Sequence, residues 1–111
     1  MMKTEMIKGI EVFSCLPADA TDRAPLLFVH GAFAGGWMWA DTFMPFLADA
    51  GYPCHAVSLR GHGGSHGRER IDWHSIADYV EDVATVIDWL ERQPVLVGHS
   101  MGGFVIQKYL E

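Results

Sequence analysis

Three short runs of mostly apolar residues, each followed by a segment with helical spacing, constrain the fold of this chain most strongly. The runs occupy residues 26–29, 54–59 and 95–97. The first is continuous and apolar, as suits a strand that is buried on both faces, and the other two are further strand candidates. Strands that alternate with helices form right-handed βαβ crossovers, which build a parallel sheet covered by helices on both faces. We therefore predict an α/β fold, to which an early extended segment beginning at residues 11–13 adds an antiparallel strand or hairpin.

The segments between the runs carry the start and stop signals of helices. Residues from about 42 to 50 have helical character, and Gly51 supplies a stop. The clearest helix begins at Ser75, because Ser75 and Asp78 resemble a capping box and apolar residues follow at spacings of three and four. A last helix is predicted to begin near Ser100.

Composition and charge favour a packed domain and disfavour two kinds of partner. Half of the 111 residues are apolar, and 8 Lys and Arg against 14 Asp and Glu leave a net charge of −6. Phosphate binding needs clustered cations, so no nucleic-acid partner is expected. The N-terminus shows no secretory signal, and the longest uncharged stretch, 24–40, contains proline and glycines that suit no membrane span. We expect no membrane partner and, by default, a cytoplasmic location.

Signals for a redox pair, a nucleotide or a metal are weak. Cys15 and Cys54 form no CxxC motif, and they are either reduced cysteines or one disulfide. No segment has the glycine spacing of a dinucleotide- or phosphate-binding loop. His62 and His66 lie four residues apart, but in a Gly-rich loop that we expect to be mobile, without a clear set of further ligands. No cofactor and no metal site are predicted.

A G-x-S-x-G motif occupies residues 98–102, directly after the third apolar run. In such a motif a strand turns sharply into a helix, and Gly98 and Gly102 allow close approach of the chain around Ser100. The Ser100 hydroxyl then projects above the sheet edge, and the N–H of Met101 lies at a helix start, where anions are stabilised. We predict that Ser100 is a nucleophile and that Met101 N–H is one oxyanion donor.

A second loop supplies the other donor that a serine hydrolase needs. His30 and Gly31 close the first parallel strand, and a Gly-containing segment follows. The second N–H of an oxyanion hole comes from the loop after this strand. We predict that Ala32 provides it, with Phe33 behind, and that His30 has a structural role.

Together these motifs resemble the α/β-hydrolase superfamily, and the resemblance covers nearly the whole chain from about Ile10. Residues 29–39 resemble the oxyanion loop of the esterase and hydroxynitrile-lyase-like branch. Residues 58–65 are similar to the D-x-R-G-x-G-x-S loop of many members, with Ser58 in place of the usual Asp. Residues 96–103, which include His99, match the nucleophile elbow of the family closely.

The resemblance implies a fold, a reaction and a set of missing parts. The chain corresponds to the N-terminal half of an α/β-hydrolase fold, a single incomplete domain over 1–111, with its parallel strands in the spatial order second, first, third. The implied reaction is hydrolysis of a small ester-like substrate through an acyl-enzyme on Ser100. The family triad runs Ser, then Asp or Glu, then His, and the last two members follow the elbow at a distance that exceeds the 11 residues after Ser100. We expect the 111-residue chain alone to be inactive.

Two other function classes remain open from the sequence. The absence of the triad Asp and His within residues 1–111 favours an inactive truncated product or pseudoenzyme. A lyase or a cofactor-free peroxidase-like member of the same fold shares the same elbow. An upstream histidine is not expected to complete the triad, because His99 only flanks the nucleophile and elbow geometry turns neighbouring side chains away from Ser100.

Aromatic residues and the last strand complete the expectations. Trp37 and Trp39 suit an acyl pocket and a structural core equally well, whereas Phe43 and Phe46 are assigned to the core. The strand at 95–97 is apolar on both faces. The resemblance implies that this strand has neighbours on both sides in the family's sheet, and we expect one of them to be missing from residues 1–111. An unpaired edge is a template for association, so we expect self-association of the isolated chain.

Overall fold

The described part of the chain forms one mixed sheet with helices on both faces. The computed structural model describes residues 2–111, and of residues 70–72 only the backbone. The strands are β1 (Met2–Ile7), β2 (Ile10–Cys15), β3 (Leu26–Val29), β4 (Cys54–Val57) and β5 (Val95–Gly98). The helices are α1 (Trp37–Ala40), α2 (Phe43–Asp49), α3 (Ile76–Leu90) and α4 (Met101–Leu110), and a 3₁₀ helix spans Arg68–Trp73.

The strand order is β1-β2-β4-β3-β5, with β3 parallel to both β4 and β5. The parallel strands therefore have the predicted order second, first, third. Val29 is the register partner of Val57 on one side and of Gly98 on the other. The carboxyl ends of the three strands consequently lie at one edge of the sheet, and the loops that follow them meet there.

The N-terminal strands form the predicted antiparallel hairpin. Lys8 and Gly9 connect them with φ values of 52° and 83°, as a two-residue turn with both central residues in the left-handed region requires. β2 continues the sheet by pairing antiparallel with β4. β1 lies outside the predicted segment, because its charged residues give little apolar signal.

Two cores lie on opposite faces of the sheet, as expected for a doubly covered α/β sheet. On one face, α3 and α4 pack against β2, β3 and β4 through Val12, Leu27, Val57, Val83 and Val105. On the other face, α1 and α2 pack against the same strands through Phe28, Ala56, Trp39, Met44 and Ala48.

Local signals place the start of α3 and the end of α2 where the sequence predicts them. The capping box at Ser75 is present: Asp78 N–H donates to Ser75 Oγ (3.2 Å), and Ser75 N–H donates to Asp78 Oδ2 (2.9 Å). The hydrogen bond from Ser75 N–H lowers the pKa of the Asp78 carboxyl. Gly51, with φ 99°, follows α2 as the predicted stop.

The assignment of two aromatic residues to the core is wrong. Phe43 and Phe46 are 55% and 73% exposed, because α2 turns Met44 and Ala48 toward the sheet and these two phenylalanines away from it. Trp39 is buried against Phe28 with ring centroids 4.9 Å apart, and it fills core.

The two cysteines are free and buried. Cys15 and Cys54 are register partners on β2 and β4, and burial raises the pKa of the Cys54 thiol to about 11. Among the helices of the described residues, each is too short or too polar to cross a membrane.

Candidate active site

Ser100 lies at a sharp turn between the end of β5 and the start of α4. Its backbone angles, φ 56° and ψ −119°, fall in a region that residues with a side chain rarely adopt. Because α4 begins at Met101, the N–H of Met101 is among the first helical N–H groups, which have no intrahelical acceptor. The predicted strand–turn–helix is therefore present, with an exposed serine at its apex.

Glycine is required on both sides of Ser100 because the turn packs closely. A Cβ added at Gly98 would lie 2.7 Å from Gly103 N, and one added at Gly102 would lie 2.7 Å from His30 O. Real Cβ atoms essentially never approach other atoms this closely. The start of α4 consequently rests directly on the end of β3.

The loop after β3 lies against the elbow. A Cβ built at Gly31 would be 3.3 Å from Ser100 Cβ and 3.3 Å from His99 Nδ1. Ala34 N–H donates to Gly31 O (3.3 Å), which closes a four-residue turn with Phe33 at φ 61°. The turn leaves Ala32 and Phe33 exposed directly after Gly31, the residue that packs against Ser100.

His30 has the structural role that the sequence suggests. Its ring is fully buried, and its Nε2 accepts from Leu59 N–H (2.9 Å) while Nδ1 lies 2.6 Å from Gly31 O. Since Gly31 O can only accept, the proton is on Nδ1 and both ring nitrogens are occupied. Burial lowers the pKa of His30 to about 4, so the ring is neutral at pH 7 and ties β3 to the loop after β4.

A cavity of about 380 Å³ opens beside Ala32 and Met101. Its wall includes His62 and Tyr79, and neither residue was predicted to lie there. Tyr79 was interpreted only as one apolar position of α3. No local pattern distinguishes it from the core positions of the same helix.

His62 is buried rather than part of a mobile loop. Its N–H donates to Leu59 O (2.9 Å), and its Nδ1 donates to Arg60 O (3.0 Å). Its ring lies 4.9 Å from that of His30 and 6.2 Å from that of Phe33. The glycines of this loop suggested a mobile segment, but contacts with His30 and Phe33 from a distant part of the chain hold His62 in place.

An ion pair anchors this loop to α3. The Arg60 side chain donates to both carboxylate oxygens of Asp82 at 3.0–3.2 Å, and Arg60 N–H donates to Asp82 Oδ2 (2.8 Å). Burial alone would lower the pKa of Arg60, but the hydrogen bonds and charge of Asp82 raise it overall. The wall of the cavity is therefore held by a buried carboxylate on the helix behind it.

The described residues do not bring a base to the nucleophile. Nε2 of His74 donates to Gly67 O (2.7 Å), and His66 packs beside Gly9 at the tip of the hairpin. Within residues 2–111, apart from the undescribed side chains 70–72, no hydrogen bond joins a histidine to Ser100 Oγ. In that same part of the chain, no group of three or more His, Cys, Asp or Glu residues is placed to hold a metal ion.

A larger cavity, of about 580 Å³, lies at the opposite end of the sheet. Ser14 Oγ and His55 Nδ1 lie 2.7 Å apart in its wall, and burial lowers the pKa of His55 to about 4. His55 pairs with Leu27 near the amino ends of the parallel strands. Ligands of open α/β sheets bind at the carboxyl ends, so the smaller cavity, beside Ala32 and Met101, is the candidate site.

The strand order and the serine at the turn after β5 together define an α/β-hydrolase. The family model described as "Alpha/beta hydrolase family" matches residues 26–110. The chain therefore belongs to the alpha/beta hydrolase family.

The relatives of this chain include haloperoxidases, esterases and epoxide hydrolases. The non-heme chloroperoxidase CPO-A1 of Kitasatospora aureofaciens is 35% identical over 103 residues, which cover 92% of this chain and 35% of that protein. The bifunctional esterase/perhydrolase DCH of Acinetobacter calcoaceticus is 36% identical over 109 residues, covering 92% and 36%. The structure of the epoxide hydrolase VrEH1 from Vigna radiata matches with a TM-score of 0.76 at 27% identity, covering 98% of this chain and 34% of that one. The chain spans about a third of the length of the curated relatives it matches.

Proposed function

We propose that the protein carrying this chain is a serine hydrolase that cleaves carboxylic esters through an acyl-enzyme on Ser100. The observation that supports this most directly is the Ser100 turn, with φ 56° and ψ −119°, against which Gly31 packs. Such a turn presents a hydroxyl next to two backbone loops that can each offer an N–H group. The cavity beside Ala32 and Met101 has room for a small substrate.

In the proposed reaction, Ser100 Oγ attacks the ester carbonyl carbon while a histidine base takes its proton. The N–H groups of Met101 and Ala32 bind the negative carbonyl oxygen of the tetrahedral intermediate. The intermediate collapses, the base protonates the departing alcohol, and an acyl group remains on Ser100. Water then attacks the acyl carbon while the same base takes one of its protons; as the bond to Ser100 Oγ breaks, the base returns the proton to Ser100 and the carboxylic acid is released. We place the base and its acidic partner outside residues 1–111.

A second candidate is a cofactor-free perhydrolase or peroxidase-like reaction. The similarity to a non-heme chloroperoxidase and to a bifunctional esterase/perhydrolase favours it. In that case hydrogen peroxide replaces water at the acyl-enzyme, and a peracid is released instead of a carboxylic acid. Both reactions use the same Ser100 acyl-enzyme, so they differ in the second nucleophile.

The test uses the protein expressed from its complete reading frame, called the complete protein below. It is assayed on p-nitrophenyl acetate with and without hydrogen peroxide, and intact mass spectrometry follows an acyl adduct. We expect turnover and an adduct on Ser100, both absent in Ser100→Ala. Peracid formation with peroxide would select the second candidate. Turnover that persists in Ser100→Ala would contradict both, and no turnover in the wild type would indicate an inactive member.

A further inference from the structure

We infer that Glu11 is a positioning residue that holds the oxyanion loop in place through Ser58. This inference rests on the proposed function, because it assigns a role to the loop that carries Ala32. Glu11 lies on β2, 21 residues before Ala32 in sequence. Its carboxylate reaches the loop only through the tertiary structure.

Two hydrogen bonds run in one direction, from Gly36 through Ser58 to Glu11. Glu11 Oε1 accepts from the Ser58 hydroxyl (2.7 Å), and Ser58 Oγ accepts from Gly36 N–H (2.9 Å). A carboxylate can only accept, so the single hydroxyl proton of Ser58 points to Glu11 and its lone pairs remain for Gly36. A carboxylate acceptor also makes this hydrogen bond stronger than a neutral one.

Gly36 is the far end of the oxyanion loop. It is buried, and it precedes α1, which begins at Trp37. A Cβ at Gly36 would lie 2.8 Å from Phe13 Cδ2 and 3.0 Å from Ala56 O, so this end of the loop is pressed onto the sheet. The near end is held by Gly31 against Ser100. Ala32 lies between these two contacts and is exposed, so the contacts of Gly31 and Gly36 set the position of its N–H.

The same carboxylate also holds the neighbouring loop. Gly64 N–H donates to Glu11 Oε1 (2.9 Å), and Glu11 N–H donates to Ser65 Oγ (2.8 Å). A Cβ at Gly63 would lie 2.7 Å from both Glu11 Oε1 and Ser58 Oγ, so the backbone closes directly over the pair. Glu11 therefore joins the loop that carries Ala32 to the loop that carries His62.

The carboxylate at this position belongs to a distant segment of the chain. Ser58 stands where the D-x-R-G-x-G-x-S loop of the family has Asp. Here the carboxylate arrives from β2 instead, 47 residues away in sequence. An Asp at residue 58 would face Glu11 at short range, and two carboxylates in contact repel each other. The single change Ser58→Asp should therefore be harmful, but harmless once Glu11 is removed.

The experiment is a double-mutant cycle in the complete protein, with Glu11→Ala, Ser58→Asp and the double variant. Each is measured by kcat and KM on p-nitrophenyl acetate, by affinity for a boronic acid that mimics the tetrahedral intermediate, and by amide hydrogen exchange of residues 31–36. Loss of a whole oxyanion donor costs about 100- to 1000-fold in kcat, so a displaced donor is expected to cost about 10- to 100-fold.

We expect Glu11→Ala to lower kcat and boronate affinity in parallel, to leave KM within about threefold, and to speed exchange in residues 31–36. Ser58→Asp should be impaired as well, and the double variant should recover both exchange and kcat. Glu11→Gln keeps an acceptor oxygen and should lie close to the wild type. Glu5→Ala, on the same hairpin but paired with Lys3, is the matched control and should show no effect.

The outcomes separate this inference from the proposed function. Two results would overturn the positioning role. One is amide exchange of residues 31–36 that is as slow in Glu11→Ala as in the wild type, and the other is an unchanged kcat despite faster exchange. A loss of kcat that follows the melting temperature and is not recovered in the double variant would reduce Glu11 to a structural residue. If Glu11→Ala does not fold, the comparison of Ser58→Asp with the double variant tests the positioning role, which requires the double variant to have the higher kcat and the slower exchange. Failure of the proposed function appears independently as turnover in Ser100→Ala.

Discussion

Gly31 packs directly against Ser100, and a Cβ at residue 31 would lie 3.3 Å from the Cβ of the serine. This contact joins the loop after β3 to the turn after β5, and it depends on β3 and β5 being neighbours in the sheet. Gly31 thus sets the gap between the candidate nucleophile and the loop that carries Ala32.

Gly31→Ala in the complete protein should lower kcat by about tenfold, because small displacements of a reacting group or donor are costly. A contact of 3.3 Å requires the neighbour to give by a few tenths of an ångström. Gly103→Ala is the control: it adds a methyl group in the first turn of α4, with nothing within 4 Å. Equal kcat for both variants would argue against the proposed gap.

Asp82→Asn should destabilise the protein by about 3 kcal/mol, because it removes the charge from a buried pair and leaves Arg60 without its main partner. The side chain of Asp82 is 3% exposed. Glu81→Gln removes a charge at 3.7 Å from the same guanidinium, but its side chain is 71% exposed, and its loss should cost below about 1 kcal/mol. Urea unfolding measures both changes. If both variants lost the same free energy of unfolding, burial of the Arg60–Asp82 pair would add nothing to its effect on stability.

Stability should fall as the pH decreases from about 6.5 to about 4. Burial lowers the pKa of His30 and of His55 to about 4 in the folded state, below the ordinary value of 6.5. The unfolded chain therefore binds more protons in this window, and the free energy of unfolding decreases as the pH falls. Each histidine contributes a slope of up to about 1.4 kcal/mol per pH unit. Urea unfolding at several pH values measures how the free energy of unfolding changes with pH. His55→Gln should reduce this pH dependence, and an unchanged pH dependence would show that His55 does not contribute to it.

The 111-residue chain expressed by itself should show negligible esterase turnover. A serine without its base is a weak nucleophile. An oxyanion hole and binding alone retain roughly 10³- to 10⁴-fold over water in a serine protease without its triad, far below a working enzyme. The assay uses p-nitrophenyl acetate with Ser100→Ala as the control. Turnover near 1 per second that disappears in the variant would contradict this expectation.

The same 111-residue chain should self-associate. β5 is the last strand of the sheet order, and Val95 on it is 53% exposed. Phe104 and Leu110 on the adjacent α4 are also exposed, so an unpaired edge adjoins apolar surface. Size-exclusion chromatography with light scattering should show oligomers or aggregates. A monodisperse 12.3 kDa monomer with a cooperative melting transition would disprove this prediction.

The order of strands and helices, the cap at Ser75 and the turn at Ser100 could be predicted from the sequence because each depends on neighbouring residues. Apolar periodicity identifies a strand or helix within about ten residues, and a cap or a G-x-S-x-G turn needs fewer. The two predictions that failed on Phe43 and Phe46 concern which face of a helix is covered. That face is decided by α2 packing on the sheet, and not by the apolar character of the residues.

Only the tertiary structure decided how the candidate site is held together. Glu11 meets Ser58 across 47 residues, and Asp82 meets Arg60 across 22. His62 becomes a buried wall of the cavity, although its glycine-rich surroundings suggest a mobile segment. Such contacts leave no periodic signal in the sequence, since they arise only when the crossovers bring the carboxyl ends of β3, β4 and β5 to one edge. The residues that carry the proposed chemistry are local and could be predicted, whereas the residues that position them are distant in sequence and became visible through packing.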